Sequence, residues 1–92
     1  MPTVKMTGQL YRFFPALENR TITVPAGSVA EIVRAVNEIA PGFIDYVLDE
    51  QGALRRHVNV CVNETIVIDR TTLADRVSED GTVFIFQALS GG

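Results

Sequence analysis

The segment from residue 28 to residue 40 limits the possible folds most strongly, because it predicts one well-defined amphipathic helix. Ser28 and Glu31 have the spacing of a capping box, in which each side chain bonds the backbone N–H of the other residue. Behind them, apolar residues fall on a single helical stripe: Val29, Ile32, Val33, Val36 and Ala40. Pro41-Gly42 then ends the helix. A helix with one apolar stripe needs a neighbouring element that buries this stripe.

Segments with period-two alternation lie on both sides of this helix and predict strands. The strands are expected at residues 3–10, 20–24, 56–63, 65–68 and 82–89. The first two are expected to form a hairpin. Asn63-Glu64 is expected to turn the chain into residues 65–68, with a longer loop as the alternative, because Glu64 is a poor residue for a tight I′ turn.

Two weaker helical signals complete the order of elements. Apolar residues from Phe43 onward repeat at helical spacing and predict a short second helix that ends by Gly52. Thr72 and Asp75 form a second capping-box pattern, which predicts a single helical turn. The predicted order is therefore ββ, helix, short helix, ββ, turn, β.

This order predicts an α+β protein with the β-grasp fold. One apolar helix stripe and one apolar sheet face bury each other when a mixed sheet of four to five strands wraps round one main helix. Ninety-two residues make a single domain, so we expect one β-grasp domain over residues 1–92.

Composition excludes several classes of function. The net charge of −3 argues against a nucleic-acid binder, and the absence of a long apolar run argues against a membrane protein, so a cytoplasmic location is expected. A single cysteine, Cys61, and a single histidine, His57, cannot form an internal disulfide, a four-cysteine cluster or a metal site. No nucleotide-binding or triad motif appears either. We therefore expect a protein that is not an enzyme and binds no cofactor of its own.

The C-terminal end carries the strongest functional signal. Ser90-Gly91-Gly92 follows the apolar run of residues 83–89, so a strand is expected to hold the base of a flexible tail, residues 90–92. Glycine has no Cβ, and such a tail can enter a channel too narrow for other residues. Four residues from Leu89 to Gly92 span at most about 13 Å when extended. The tail therefore has the properties of a substrate for another enzyme's active site.

Alternation along the last strand predicts a docking surface beside this tail. If Val83 and Ile85 face the helix, Phe84 and Phe86 face out of the opposite side of the sheet. We expect these two residues, with Leu89, to bind a partner; in the alternative, a segment such as residues 11–18 covers them.

The sequence leaves the roles of some arginine, cysteine and histidine residues open. Arg55 and Arg56 are either a solvated loop or a second part of the docking surface. Cys61 is read as a small apolar side chain on a sheet face, with a reactive thiol as the alternative. His57 is read as a histidine at a strand edge without a special role.

Several segments together resemble the MoaD/ThiS sulfur carriers, the ubiquitin-like proteins of molybdopterin, thiamine and cysteine biosynthesis. The resemblance covers nearly the whole chain and rests on the ββα start, on residues 54–63 (LRRHVNVCVN), on residues 79–83 (EDGTV) and on the final Gly91-Gly92. Residues 54–63 resemble the cysteine-pathway branch most. Glu64, where glycine is frequent, and Gln87-Ala88, where prolines often stand, depart from the pattern, and the second departure argues against the molybdopterin branch.

The resemblance implies a specific chemistry for the tail. In this family an ATP-using partner of the ubiquitin-activating type adenylates the C-terminal glycine, here Gly92. Sulfur then replaces an oxygen, and a biosynthetic enzyme consumes the resulting thiocarboxylate. The implied partners are thus an activating enzyme and a sulfur-accepting enzyme. A ubiquitin-like modifier that forms isopeptide bonds with the same tail remains an alternative, as does a β-grasp module that binds without covalent chemistry.

Overall fold

The computed structural model describes residues 1–87, which form a five-stranded mixed sheet with the main helix packed across one face. The strands are β1 (Thr3–Met6), β2 (Ile22–Thr23), β3 (Gly27–Ser28), β4 (Val58–Val62), β5 (Thr65–Ile66), β6 (Arg76–Val77) and β7 (Thr82–Gln87). The helices are α1 (Gly8–Phe13), α2 (Val29–Ile39) and α3 (Phe43–Val47), with a 3-10 turn at Pro15–Leu17.

The five strands of the main sheet are ordered β2-β1-β7-β4-β5, while β3 and β6 form a separate two-stranded ribbon. The central pair, β1 and β7, is parallel, and the other pairs are antiparallel. A mixed sheet round one main helix is the predicted β-grasp arrangement. The last strand of the chain therefore lies in the middle of the sheet, held on both sides.

The main helix agrees with its sequence signal. The Ser28 side chain accepts a hydrogen bond from the Glu31 N–H at 3.2 Å, and the Glu31 carboxylate accepts one from the Ser28 N–H at 2.9 Å. The apolar stripe is buried, and it packs in one core cluster with residues from the sheet, among them Val4, Val60 and Ile85. Because both signals are local, they predict α2 to within one residue of its observed end.

The predicted first strand is too long. The strand ends at Met6, and α1 begins two residues later, where Leu10 N–H donates to the Thr7 carbonyl. Met6 and Leu10 are four residues apart, a spacing that fits a helix as well as a strand, and Leu10 is fully buried from the helix. Because β1 ends at Met6, which pairs with Ile85, the last two residues of β7 have no β1 residue beside them.

The predicted helical turn at residues 72–75 is wrong. Asp69 holds this turn instead of Thr72. Its carboxylate accepts the backbone N–H groups of Thr71 and Thr72, each at 3.1 Å. Hydrogen bonds from the Thr72 hydroxyl and then from these amides hold the pKa of Asp69 below its usual value. Leu73 has φ +52° and is fully buried, so the backbone leaves the helical region at that residue.

The predicted turn at Asn63-Glu64 is confirmed, because these two residues alone join β4 to β5, and the alternative of a longer loop is wrong. Among these two residues only Asn63 has a positive φ, of 56°. Glu64 therefore avoids the left-handed region that a I′ turn would require of it. The Asn63 side chain also accepts the Thr82 N–H at 3.0 Å, which ties this loop to the start of β7.

Candidate functional site: the uncovered sheet face and the end of β7

The two faces of β7 differ in exposure in the way that the alternation predicts. Val83 and Ile85 are fully buried on the side of α2. Phe84 is 37% exposed on the opposite side, and Phe86 is half-buried. Their rings stack with centroids 5.4 Å apart at an angle of 19°. The role of these two residues in docking stays a prediction.

Neighbouring strands extend the surface round these two rings. In register, Phe84 lies between Lys5 of β1 and Cys61 of β4, and Phe86 lies opposite Asn59. On β5, Ile66 lies opposite Cys61 and is 49% exposed. We call this surface the outer face; it is formed by Lys5, Asn59, Cys61, Ile66, Phe84 and Phe86. It combines aromatic and aliphatic side chains with one cation.

The segment 11–18 leaves Phe84 37% exposed, and of its residues Tyr11 lies beside Phe84 in a groove. Phe14 packs edge-on against Phe43 and Tyr46, and Phe13 contacts Tyr46, so both belong to the side of α3. Leu17 is fully buried in the core. A groove of about 340 Å³, lined partly by Lys5, Arg20 and Phe84, borders the outer face instead.

A second group of predicted residues lies near the end of β7. Gln87, the last residue of the strand, is opposite Val58, so residues 55–57 precede its partner strand at the edge where the chain leaves the sheet. The Arg55 guanidinium donates to the Asp45 carbonyl at 2.9 Å, while Arg56 is exposed. The structure thus brings both arginines to the end of the sheet from which the tail continues.

Sequence reasoning missed Arg70, which organises this end. Its guanidinium donates to the carbonyls of Arg55 and Val58, at 2.7 and 2.6 Å, and to the Asn59 side chain at 3.0 Å. Arg70 therefore links the arginine segment to the outer face. In sequence it stands between Asp69 and Thr71 and resembles a solvated loop residue, so no local signal identified it.

The remaining predicted site residues, Leu89, Ser90, Gly91 and Gly92, lie outside the described residues. Within residues 1–87, no three histidine, cysteine or acidic side chains come together as metal ligands. The same part of the chain contains no helix with the length and apolar character needed to cross a membrane.

Comparison with known proteins gives matches among solved structures only. No family model matches the chain, and no curated protein matches it significantly. CysO of Amycolatopsis orientalis, solved in complex with BexX, is 26% identical, has a TM-score of 0.82 and covers 100% of both chains. CysO of Mycobacterium tuberculosis, an antigen, is 21% identical with a TM-score of 0.82, over 97% of this chain and 100% of its own. SAMP1 of Haloferax volcanii, a small archaeal modifier protein, is 22% identical with a TM-score of 0.75, over 98% and 97%.

These likenesses agree with the observed sheet and helix order and with the sequence resemblance. The relatives are small ubiquitin-like carriers and modifiers rather than enzymes, and the two CysO structures match the cysteine-pathway branch to which residues 54–63 point. Their similarity extends along the whole chain, so it includes the strand that leads into the tail. The chain has the β-grasp fold of these small ubiquitin-like proteins, and it is similar over its whole length to CysO.

Proposed function

We propose that this protein carries sulfur on its C-terminal carboxylate. The observation that carries the proposal is the position of β7. The strand is central, its outer face is partly exposed at Phe84, and it continues into five residues that end in Gly91-Gly92. Five extended residues reach at most about 17 Å beyond Gln87. A domain docked through the outer face can therefore place Gly92 in a partner's active site.

The chemistry proceeds in two steps. A carboxylate oxygen of Gly92 attacks the α-phosphate of ATP in the activating enzyme, and pyrophosphate leaves. A hydrosulfide-level donor then attacks the carbonyl carbon of the adenylate and a C–S bond forms. The bond from that carbon to the phosphate oxygen breaks, and AMP leaves with the electron pair. The product is a thiocarboxylate. This chain supplies the reacting carbon and its presentation, while ATP is bound by the partner.

Two classes of partner follow from this scheme. An ATP-dependent enzyme of the ubiquitin-activating type would bind the outer face and activate Gly92. A biosynthetic enzyme of the cysteine, thiamine or molybdopterin type would then accept the sulfur. The complex of CysO with BexX supports docking of a related carrier on another protein, and ATP-dependent activation fits a cytoplasmic location.

Deletion of Gly92 tests the proposal. Adenylation, measured as ATP–pyrophosphate exchange with the cognate activating enzyme, should be lost because the reacting carboxylate has moved one residue back. A chain extended by one residue beyond Gly92 should fail in the same assay. The thermal melt should stay at the wild-type midpoint, since the described sheet and core are formed by residues 1–87. Unchanged exchange after the deletion would refute activation at Gly92.

A protein modifier is the second candidate, and the likeness to SAMP1 favours it. The same adenylate would then be attacked by a lysine amine, which forms an isopeptide bond and releases AMP. The two functions differ in their product: a modifier gains a protein partner, and a carrier gains a sulfur atom. A β-grasp module that only binds would gain neither.

A further inference from the structure

The end of β7 has fewer partners than the rest of the strand. In the part of the chain that the structure describes, β1 pairs with β7 only as far as Met6–Ile85, and Thr7 N–H adds one bond to the Ile85 carbonyl at 3.3 Å. Beyond that point Phe86 and Gln87 pair only with β4. The two residues that lead into the tail are thus held by one neighbouring strand instead of two.

A side-chain hydrogen bond holds Gln87 at this end of the strand. The Tyr46 hydroxyl of α3 donates to the Gln87 side-chain carbonyl at 3.2 Å, across 41 residues of sequence. Alternation places Gln87 on the same face as Val83 and Ile85, which is the face that the helices cover. Gln87 therefore lies opposite Val58 of β4 in register and is bonded through its side chain to α3.

The Tyr46 ring is itself held by aromatic neighbours. Its centroid lies 5.2 Å from that of Phe13, 5.8 Å from that of Phe14 and 5.6 Å from that of His57. Three rings round one ring leave it little rotational freedom, so the hydroxyl is directed at Gln87 before any partner binds. This aromatic group explains why Phe13, although 59% exposed, lies at this end of the molecule.

We propose that Tyr46 is a positioning residue for the tail. By donating to Gln87, it fixes the direction in which the chain leaves the sheet, and with it the approach of the Gly92 carboxylate to the activating enzyme. This inference rests on the proposed function. Reaction rates fall steeply when reacting groups are misplaced by even an ångström, so a small rotation at the base of a five-residue tail affects turnover.

Tyr46→Phe tests the inference, because it keeps the ring and removes the hydroxyl. We expect kcat for ATP–pyrophosphate exchange to fall about tenfold, with KM unchanged because the outer face is intact. Gln87→Leu should give the same fall. Gln87→Glu, which keeps an acceptor oxygen, should stay within about threefold of the wild type. All three variants should melt at nearly the wild-type temperature, since the bond is half-buried and both side chains can be hydrated.

The double variant supplies the decisive comparison. If the two residues act through one bond, Tyr46→Phe with Gln87→Leu should lose about tenfold, as each single variant does, rather than the product of the two losses. A wild-type kcat in Tyr46→Phe, a change in KM alone, or multiplicative losses would each overturn the inference. Failure of the proposed function would look different, because the wild-type chain itself would give no exchange.

Discussion

At the scale of single residues, we expect the glycines of the tail to determine whether the terminal carboxylate can reach a narrow site. Gly91→Val should leave the fold intact but reduce adenylation strongly, because a β-branched side chain occupies space that the channel leaves for backbone alone. The measurement is ATP–pyrophosphate exchange together with a thermal melt.

A second glycine provides the matched control for that variant. At Gly8 a Cβ would meet nothing within 4 Å, so Gly8→Val adds the same side chain in open space and should be activated normally. If Gly91→Val is adenylated at the wild-type rate, the channel is wider than the account requires.

Another prediction at this scale concerns the charge at the start of α2. Hydrogen bonds from Ser28, backbone first and then hydroxyl, hold the pKa of Glu31 below its usual value of 4.5. A lowered folded pKa means that the carboxylate stabilises the fold above pH 4.5, and that this contribution is lost as pH falls through the folded pKa.

Thermal melts of the wild type and Glu31→Gln, taken from pH 7 down to pH 3, test this sign. Glutamine keeps a capping-box side chain and removes only the charge. The wild type should melt higher at neutral pH, and the two curves should converge below the folded pKa. A difference that is independent of pH would contradict the assignment.

At the level of elements, we expect one face of β7 to contribute to stability and the other to docking. Phe84→Ser with Phe86→Ser should weaken binding to the activating enzyme by about 2 kcal/mol or more, because central aromatic side chains carry much of the energy of such interfaces. A binding titration measures the loss. Phe84 is 37% exposed and Phe86 is half-buried, so the double change should cost less stability than a substitution of fully buried residues.

The same strand contains the control. Ile85 is fully buried on the opposite face, so Ile85→Ala should lower the free energy of unfolding by about 2–5 kcal/mol and leave the affinity of the folded protein unchanged. If the double phenylalanine variant binds normally, the docking surface lies elsewhere, most directly round Arg55 and Arg56.

Elements were predictable where the signal was local. The capping box and apolar stripe of α2 lie within thirteen residues, and alternation located both faces of β7. The short α1 was missed because Met6 and Leu10 fit two periods at once. The predicted helical turn at residues 72–75 failed because a long-range hydrogen bond sets the backbone there. The Leu73 carbonyl accepts the Ala30 N–H at 3.1 Å.

For the whole molecule, the class of fold followed from the order of elements, but the site did not follow from sequence alone. The parallel pairing of β1 with β7 joins the two ends of the chain, and no periodicity reports which strands meet. The contacts that organise the end of β7 also join distant residues, such as Tyr46 with Gln87 and Arg70 with Arg55. The proposed chemistry of the tail came from the resemblance to a family, because the tail residues have no distinctive pattern of their own except two glycines.

The intact mass of the protein isolated from its native cells tests the central claim most directly. A sulfur carrier should appear as a species about 16 Da heavier than the sequence, since one oxygen is replaced by sulfur, and fragmentation should place the added mass at Gly92. The unmodified mass alone, in cells grown with an adequate sulfur supply, would contradict the account. So would a C-terminus found only in covalent linkage to lysines of other proteins.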